Sequence, residues 1–429
     1  VPEVVIVGGG LEGCPAAWAL AERGVTDVVV VERDTVGSGG TGKSSGVVRC
    51  HYGVSSLAAM ATRALAFFEE HAEEVGFHQT GYVVGVGPEN VAALAASLAD
   101  QRAVGVRTDE VTADEVQRLW PVADLSPFAA FAWEERGGYG DAYRTAQYFA
   151  ATARAAGVRL RQGTTVTSLL VDGGRTTGVR LADGTTVEAD AVVVAAGPWS
   201  VGLLAAHGVD LPITVHREQI VLVDPGRDLG EVPVFSDLVS LQYVRPGSGG
   251  EILFGNSDLA ELEPADPDRY SDQATEAFLE MAVDKVGTRF PGLANATIAS
   301  SYAGCYDVTP DFNPAISRTA LEGLVVAAGF SGHGFKNLPV RRPAGRRSRG
   351  GRVQLRAGGP GVRLPAGPLR RGRPAAQPPP LRRRGGAAVA AATRPARAAA
   401  RRPDPPRRSG SPSPTTSSRS APRSARSTP

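Results

Sequence analysis

The chain has 429 residues, 42% of them hydrophobic, enough for two domains of ordinary size, and a formal net charge of +2. No apolar run approaches the length a membrane span needs, and three cysteines, Cys14, Cys50 and Cys305, make neither a disulfide framework nor a C-x-x-C metal site. The charge averages two unlike pieces, because residues 341–429 carry 23 of the 46 basic residues and only one of the 44 acids, Asp404, which leaves residues 1–340 strongly acidic.

The opening stretch reads VVIVGGGLEGCPAAWALAERGVTDVVVVERD, from Val4 to Asp34. An apolar run, Val4 to Val7, ends at Gly8, Gly10 and Gly13, the G-x-G-x-x-G spacing. A helical segment follows with Gly24 as its stop, and a second apolar run, Val28 to Val31, ends on Glu32. The pattern predicts strand, tight turn, helix, strand. Gly8 allows the turn, Gly10 lets a pyrophosphate approach the backbone, and Gly13 lets the helix pack close to the strand. Glu32 stands where a carboxylate accepts ribose hydroxyls. Together these features point to dinucleotide binding. The opening strand lacks a basic leader region, so it does not read as a signal peptide, and a reducing cytoplasm is the expected compartment.

Gly37 to Gly53 is rich in Gly and Ser and includes Ser44 and Ser45. Gly37 to Ser44 matches the P-loop spacing, but the preceding strand already serves the first glycine turn, so a backbone lining for a large planar cofactor fits better. Helices are predicted for Ser55–Glu74, Asn90–Val104 and Thr112–Leu119, the last with Thr112 and Glu115 as a capping box. His78 to Gly87 reads as a strand. An alanine-rich helix from Arg144 to Gly157 leads into short strands with DGG and ADG turns, a β-meander ending at Ala191–Ala196 and Gly197-Pro198-Trp199. Strands at His216–Val223 and Glu251–Gly255 and a helix at Asp272–Val286 suit a substrate-facing sheet. Leu324 to Ala328 is a last strand, ending in GFSGHGFK, Gly329 to Lys336. His51, His71, His78, His207 and His216 are too scattered for metal-ligand spacing, so no metal is expected.

The Gly/Ser stretch after Glu32 and the late glycine turn favour FAD over a nicotinamide cofactor, although an NAD-dependent dehydrogenase stays open at this level. At these residues the chain resembles the D-amino-acid-oxidase-like flavoproteins, and within them the sarcosine oxidases. The resemblance rests on VVIVGGGLEG, SSGVVRCHYG, VVVAAGPWS, CYDVTPD and GFSGHGFK, and runs from Val4 to about Lys336. It implies an α/β fold: a discontinuous Rossmann-like FAD-binding domain of the glutathione-reductase type (1–76, 138–207, 301–340) and an α+β substrate domain with a mixed or antiparallel sheet (77–137, 208–300). Gly8, Gly10, Gly13, Glu32 and Arg33 would hold the ADP half of FAD. Ser44 and Ser45 would line the flavin, Val166, Ala196 and Gly197 the adenosine end, and Gly329, Gly332 and Gly334 the ring.

The resemblance also implies that Arg49 and Lys336 grip a substrate carboxylate, that Tyr306 lines the pocket and that His333 sits near the flavin. The expected partners are a small amine or amino acid, and oxygen or an electron carrier. Nucleic acid is not expected for the body of the protein. The activity implied is oxidation of a C–N bond by hydride transfer to flavin N5, followed by hydrolysis of the imine; an inactive, truncated flavin-binding protein is the alternative. Two positions depart from the resembled enzymes. Gly304 stands where the monomeric sarcosine oxidases attach flavin to Cys, so FAD is expected to be non-covalent. Leu253 stands where they carry an oxygen-promoting Lys, which brings in a dehydrogenase.

A helix should follow Lys336, yet Pro339, Pro343, Gly345, Gly350 and Gly351 oppose one. Residues 341–429 hold 16 of the 32 prolines and no Phe, Tyr, Trp, Ile, Met or Cys. This reads as a disordered Arg/Pro-rich tail or the product of a shifted reading frame near 338–342.

Overall fold

A computed structural model describes residues 1–338, and the expectations for the following helix and for residues 341–429 lie outside them. The four valine and isoleucine residues of Val4–Val7 are all buried, as a central strand flanked on both faces requires. This strand pairs in parallel with Val28–Val31 on one side and Ala191–Val194 on the other. The sheet continues outward to Arg159–Arg161 and to Leu324–Ala328, where the antiparallel strand Ala315–Arg318 closes it at six strands. The helix Gly13–Ala21 follows the glycine turn, and the meander forms a separate antiparallel sheet of Val166–Asp172, Arg175–Leu181 and Thr186–Glu188.

A nine-stranded mixed sheet is assembled from two separate stretches of chain. Tyr82–Val86, Asp109–Val111 and Ala130–Glu134 join the strands between Thr214 and Val308 through the parallel pair of Tyr82–Val86 with Val234–Asp237. The strand Thr297–Val308 runs antiparallel along the whole of Thr214–Asp224, with one register shift between Leu222 and Val223. The passage between sheets therefore falls after Val308, and a division at residue 301 would cut a strand in two.

Local signals were strongest where a side chain fixes an end. Thr112 accepts from the Glu115 N–H at 3.3 Å while Glu115 accepts from the Thr112 N–H at 2.7 Å, and the helix runs Ala113–Leu119. The helix predicted to Glu74 stops at Glu70 instead, and a short helix Ala72–Val75 follows. His71 leaves helical geometry at φ −122°, ψ 30°, with its ring 3.1 Å from the Tyr148 hydroxyl. The helix expected at 272–286 runs Glu276–Arg289, because Thr275 caps it by accepting from the Phe278 N–H at 3.2 Å.

One face of the nine-stranded sheet packs Val221, Phe235, Val244 and Phe254 with Trp120 and Phe290 into an apolar core. A buried ion pair crosses its edge. Arg289 Nε lies 2.7 Å from Asp237 Oδ2, with both side chains 2% exposed or less, and its guanidinium also lies over the Phe128 ring at 4.4 Å. Asp237 accepts further bonds from the N–H groups of Val239 and Ser240. Arg289→Met should lower stability by about 3–5 kcal/mol, because it strands a buried carboxylate. A urea unfolding midpoint unchanged from wild type would refute this.

Candidate functional site

The glycine turn is built by close approach. Gly8 has φ +109°, and a Cβ there would lie 2.3 Å from the Ala195 carbonyl oxygen; one on Gly13 would lie 1.9 Å from the Gly8 carbonyl oxygen. Gly10 stands against Thr41 Oγ1, which also accepts from the Leu11 N–H at 3.1 Å. At the end of the second strand, Glu32 accepts from the N–H of Gly9 at 2.7 Å and of Asp34 at 2.9 Å. These bonds fix the carboxylate and leave lone pairs for hydroxyl donors. Arg33 lies over the Trp199 ring at 4.3 Å and bonds Asp268 at 2.8 Å.

A cavity of about 270 Å³ runs from this turn to the late glycine turn. Gly8, Gly10, Glu32, Arg33 and Ser44 line one part of it, Val166, Ala196 and Gly197 another, and Tyr306, Gly332 and Gly334 the rest. Gly13, Ser45, Gly329, Arg49, His333 and Lys336 are not in its wall. The late turn is stitched to the strand Thr297–Val308: Asp307 accepts from the Gly329 N–H at 2.6 Å and, through its carbonyl, from Ser331 N–H at 3.0 Å. Gly332, at φ +79°, lies against Tyr306, whose ring would be 2.6 Å from a Cβ. Burial pushes the Asp307 carboxyl up to about 6.

Arg49 and Lys336 form a basic group of their own, with His333 beside them. The Lys336 ammonium donates to the Gly332 carbonyl at 3.1 Å, and burial together with the Arg49 charge pushes its pKa well below the usual lysine range. Burial, Lys336 and Arg49 push His333 down as well. The Arg49 guanidinium sits over the Tyr52 ring at 4.5 Å and the Tyr82 ring at 5.7 Å, and donates to the His51 carbonyl. The Tyr52 hydroxyl accepts from Asn337 at 3.1 Å. Glu134 accepts from the Cys50 N–H at 2.7 Å, and burial pushes its carboxyl up to about 7. Among the described residues neither Arg49 nor Lys336 forms an ion pair. Two basic side chains in mutual repulsion, Lys336 buried and Arg49 half-buried, are suited to receiving an anion.

Of the polar face of the nine-stranded sheet, the sequence reading expected Tyr306 in the pocket but missed Tyr302, Glu218, Tyr243 and Arg245. Tyr302, Gly304 and Tyr306 stand opposite Ile220, Glu218 and His216, while Tyr243 and Arg245 stand opposite Gly255 and Leu253. Burial raises Tyr306 well above the usual tyrosine range and Glu218 to about 7. Arg245 donates to the Ser45 carbonyl and lies over the Tyr139 ring at 4.7 Å. The period-two spacing of Tyr302, Gly304, Tyr306 and of Tyr243, Arg245 is the signal that could have found this face. Gly304 is covered by Lys43, whose Cβ would be 2.6 Å from a Cβ there. Cys305 reaches the cavity wall, and burial pushes its thiol up to about 11.

No helix among the described residues is long and apolar enough to cross a membrane. The sequence profile of the FAD dependent oxidoreductase (DAO) family matches residues 3–340. Sarcosine oxidase subunit beta of Rhodobacter capsulatus is 25% identical over 352 residues, 79% of this chain and 82% of that protein. The 4-methylaminobutanoate oxidase (formaldehyde-forming) of Paenarthrobacter nicotinovorans is 28% identical over 353 residues, 78% of this chain and 42% of that protein. Among solved structures, L-proline dehydrogenase from P. horikoshii superposes with a TM-score of 0.73 at 29% identity, covering 79% of this chain and 90% of that one.

Proposed function

This chain belongs to the DAO family of FAD-dependent oxidoreductases, and from that premise we propose that it oxidises the C–N bond of a small amino acid or N-methyl amino acid of the sarcosine kind. The nicotinamide alternative falls with the family assignment. The cavity fits FAD: two glycines at which a Cβ would strike backbone, an acid fixed at the end of the second strand, and a wall continuous with the late glycine turn. Gly8, Gly10, Gly13, Glu32 and Arg33 would hold its ADP half, and Ser44, Val166, Ala196, Gly197, Gly332 and Gly334 would line the rest. The cofactor is non-covalent, since Gly304 offers no sulfur and the Cys305 thiol stays protonated. When bound, FAD supplies the hydride acceptor.

The observation that carries the substrate reading is the Arg49–Lys336 group, in which neither side chain forms an ion pair among the described residues. A substrate carboxylate would complete it through charge-assisted hydrogen bonds. Tyr52 and Tyr82 pack against the guanidinium, and Tyr306 with its tyrosine neighbours walls the pocket, so that the amine is oriented and water is kept off. His333 is held neutral beside the two cations and adds no charge. An amine that binds deprotonated needs no side-chain base, and water hydrolyses the resulting imine. Leu253 offers no charge, which favours a carrier protein over oxygen as the final acceptor, in a cytoplasmic setting.

The test is anaerobic mixing of the flavin-loaded protein with sarcosine, L-proline or glycine. Bleaching of the oxidised-flavin absorbance with at least one is expected. Unchanged absorbance with all three would overturn the reading and leave a flavin-binding protein without this turnover.

A further inference from the structure

The cofactor slot contains a carboxyl group that the reading above leaves unused. Glu12 is the residue at which the helix Gly13–Ala21 begins, and it belongs to the cavity wall. Its side chain does not cap that helix, and among the described residues it has no hydrogen-bond or ion-pair partner. Instead it lies across the slot against the late glycine turn, where a Cβ on Gly334 would come 2.7 Å from Glu12 Oε1.

This is an awkward place for a negative charge. The helix terminus receives the pyrophosphate of a dinucleotide, so an ionised carboxylate there would oppose the anion the helix attracts. The charged and titratable groups on the surrounding elements do not relieve it. Glu32 is engaged by the N–H groups of Gly9 and Asp34, Lys43 packs its stem toward Gly304, and Lys336 is tied to the Gly332 carbonyl. His333 is held neutral and Tyr306 protonated, and Asp307 adds a like charge. Burial and Asp307 push the Glu12 carboxyl well above the usual carboxylate range.

We propose that Glu12 meets bound FAD as a neutral carboxylic acid, donating a hydrogen bond to an oxygen of the phosphate–ribityl chain, so that FAD affinity falls as Glu12 ionises. The sign follows from linkage. The neutral form binds, so affinity is full below the carboxyl's titration and drops by up to about tenfold per pH unit above it. The inference rests on the cofactor assignment and is independent of which amine is oxidised.

The apoprotein is titrated with FAD at pH values from about 6 to about 9.5, with Kd read from flavin fluorescence. Wild-type Kd should rise at least tenfold across the range. Glu12→Gln, whose amide donates a hydrogen bond and cannot ionise, should show a shallower pH slope than wild type and should bind more tightly than wild type at the alkaline end. Equal pH slopes in the two proteins, or a flat wild type, would overturn the proposal. Calorimetry on wild type alone, in two alkaline buffers of different ionisation enthalpy, should show net proton uptake on FAD binding, and zero uptake would also overturn it. A failure of amine turnover leaves these Kd values unchanged, whereas a wild type that binds no FAD at any pH removes the cofactor assignment and this inference together.

Discussion

Arg49→Met is expected to lower kcat/KM for an amino-acid substrate by roughly 100- to 3,000-fold while leaving bound flavin in place. The magnitude is that of removing one partner from a buried charge pair, about 3–5 kcal/mol, at 1.4 kcal/mol per tenfold. Burial alone would push the Arg49 guanidinium down, but Tyr82, Tyr52, Glu134 and Cys50 around it more than offset this and hold it above its ordinary value. It is therefore a permanent charge, whereas Lys336 beside it is held well below the lysine range. A bound carboxylate would restore the Lys336 charge, so the wild-type preference for an amino acid over an amine without a carboxylate should fall as pH rises and the lysine loses its proton before substrate arrives, deprotonation of the amine itself being common to both. Arg49→Lys keeps a charge but loses the planar fork over Tyr52, and should recover only part of the loss. The discriminating comparison is an amine without a carboxylate. Wild type should strongly prefer the amino acid, and Arg49→Met should lose most of that preference. A kcat/KM for the amino acid within threefold of wild type would remove Arg49 from the substrate site.

How far the site could be read in advance depended on whether its geometry is local. The strand, turn, helix and acid between Val4 and Glu32 are set by glycine spacing and by one buried strand, and they lie where the pattern put them. The capping box at Thr112 is local in the same sense. Arg245 is not, because it reaches Ser45 across 200 residues, and its strand neighbours come from a sheet assembled from two separate stretches of chain. Tyr302 and Tyr306 alternate on one strand, but only the pairing with Thr214–Asp224 tells which face is polar and which joins the core of Val221 and Phe254. Glu12 was passed over because the G-x-G-x-x-G rule leaves that position free. Only the fold brings Gly334 and Asp307 against it.

Gly13→Ala is expected to yield a colourless protein whose FAD Kd is raised by more than about 100-fold, the cost of roughly 3 kcal/mol of binding energy. The added methyl would sit 1.9 Å from the Gly8 carbonyl oxygen and 3.3 Å from Ile6 Cγ2, so neither backbone nor core can yield without moving the helix off the opening strand. That movement carries the first helical N–H groups away from the turn, and the pyrophosphate then loses the donors and the helix terminus that receive it. Gly24 is the control. It has φ +88° with nothing within 4 Å of a Cβ, so Gly24→Ala incurs only the backbone strain of a left-handed residue, about 1 kcal/mol, far from the slot. Both proteins should lose some stability, but only Gly13→Ala should lose its flavin. If Gly13→Ala binds FAD within threefold of wild type, the close helix–strand contact is not what shapes the slot, and the pyrophosphate must be held by other groups.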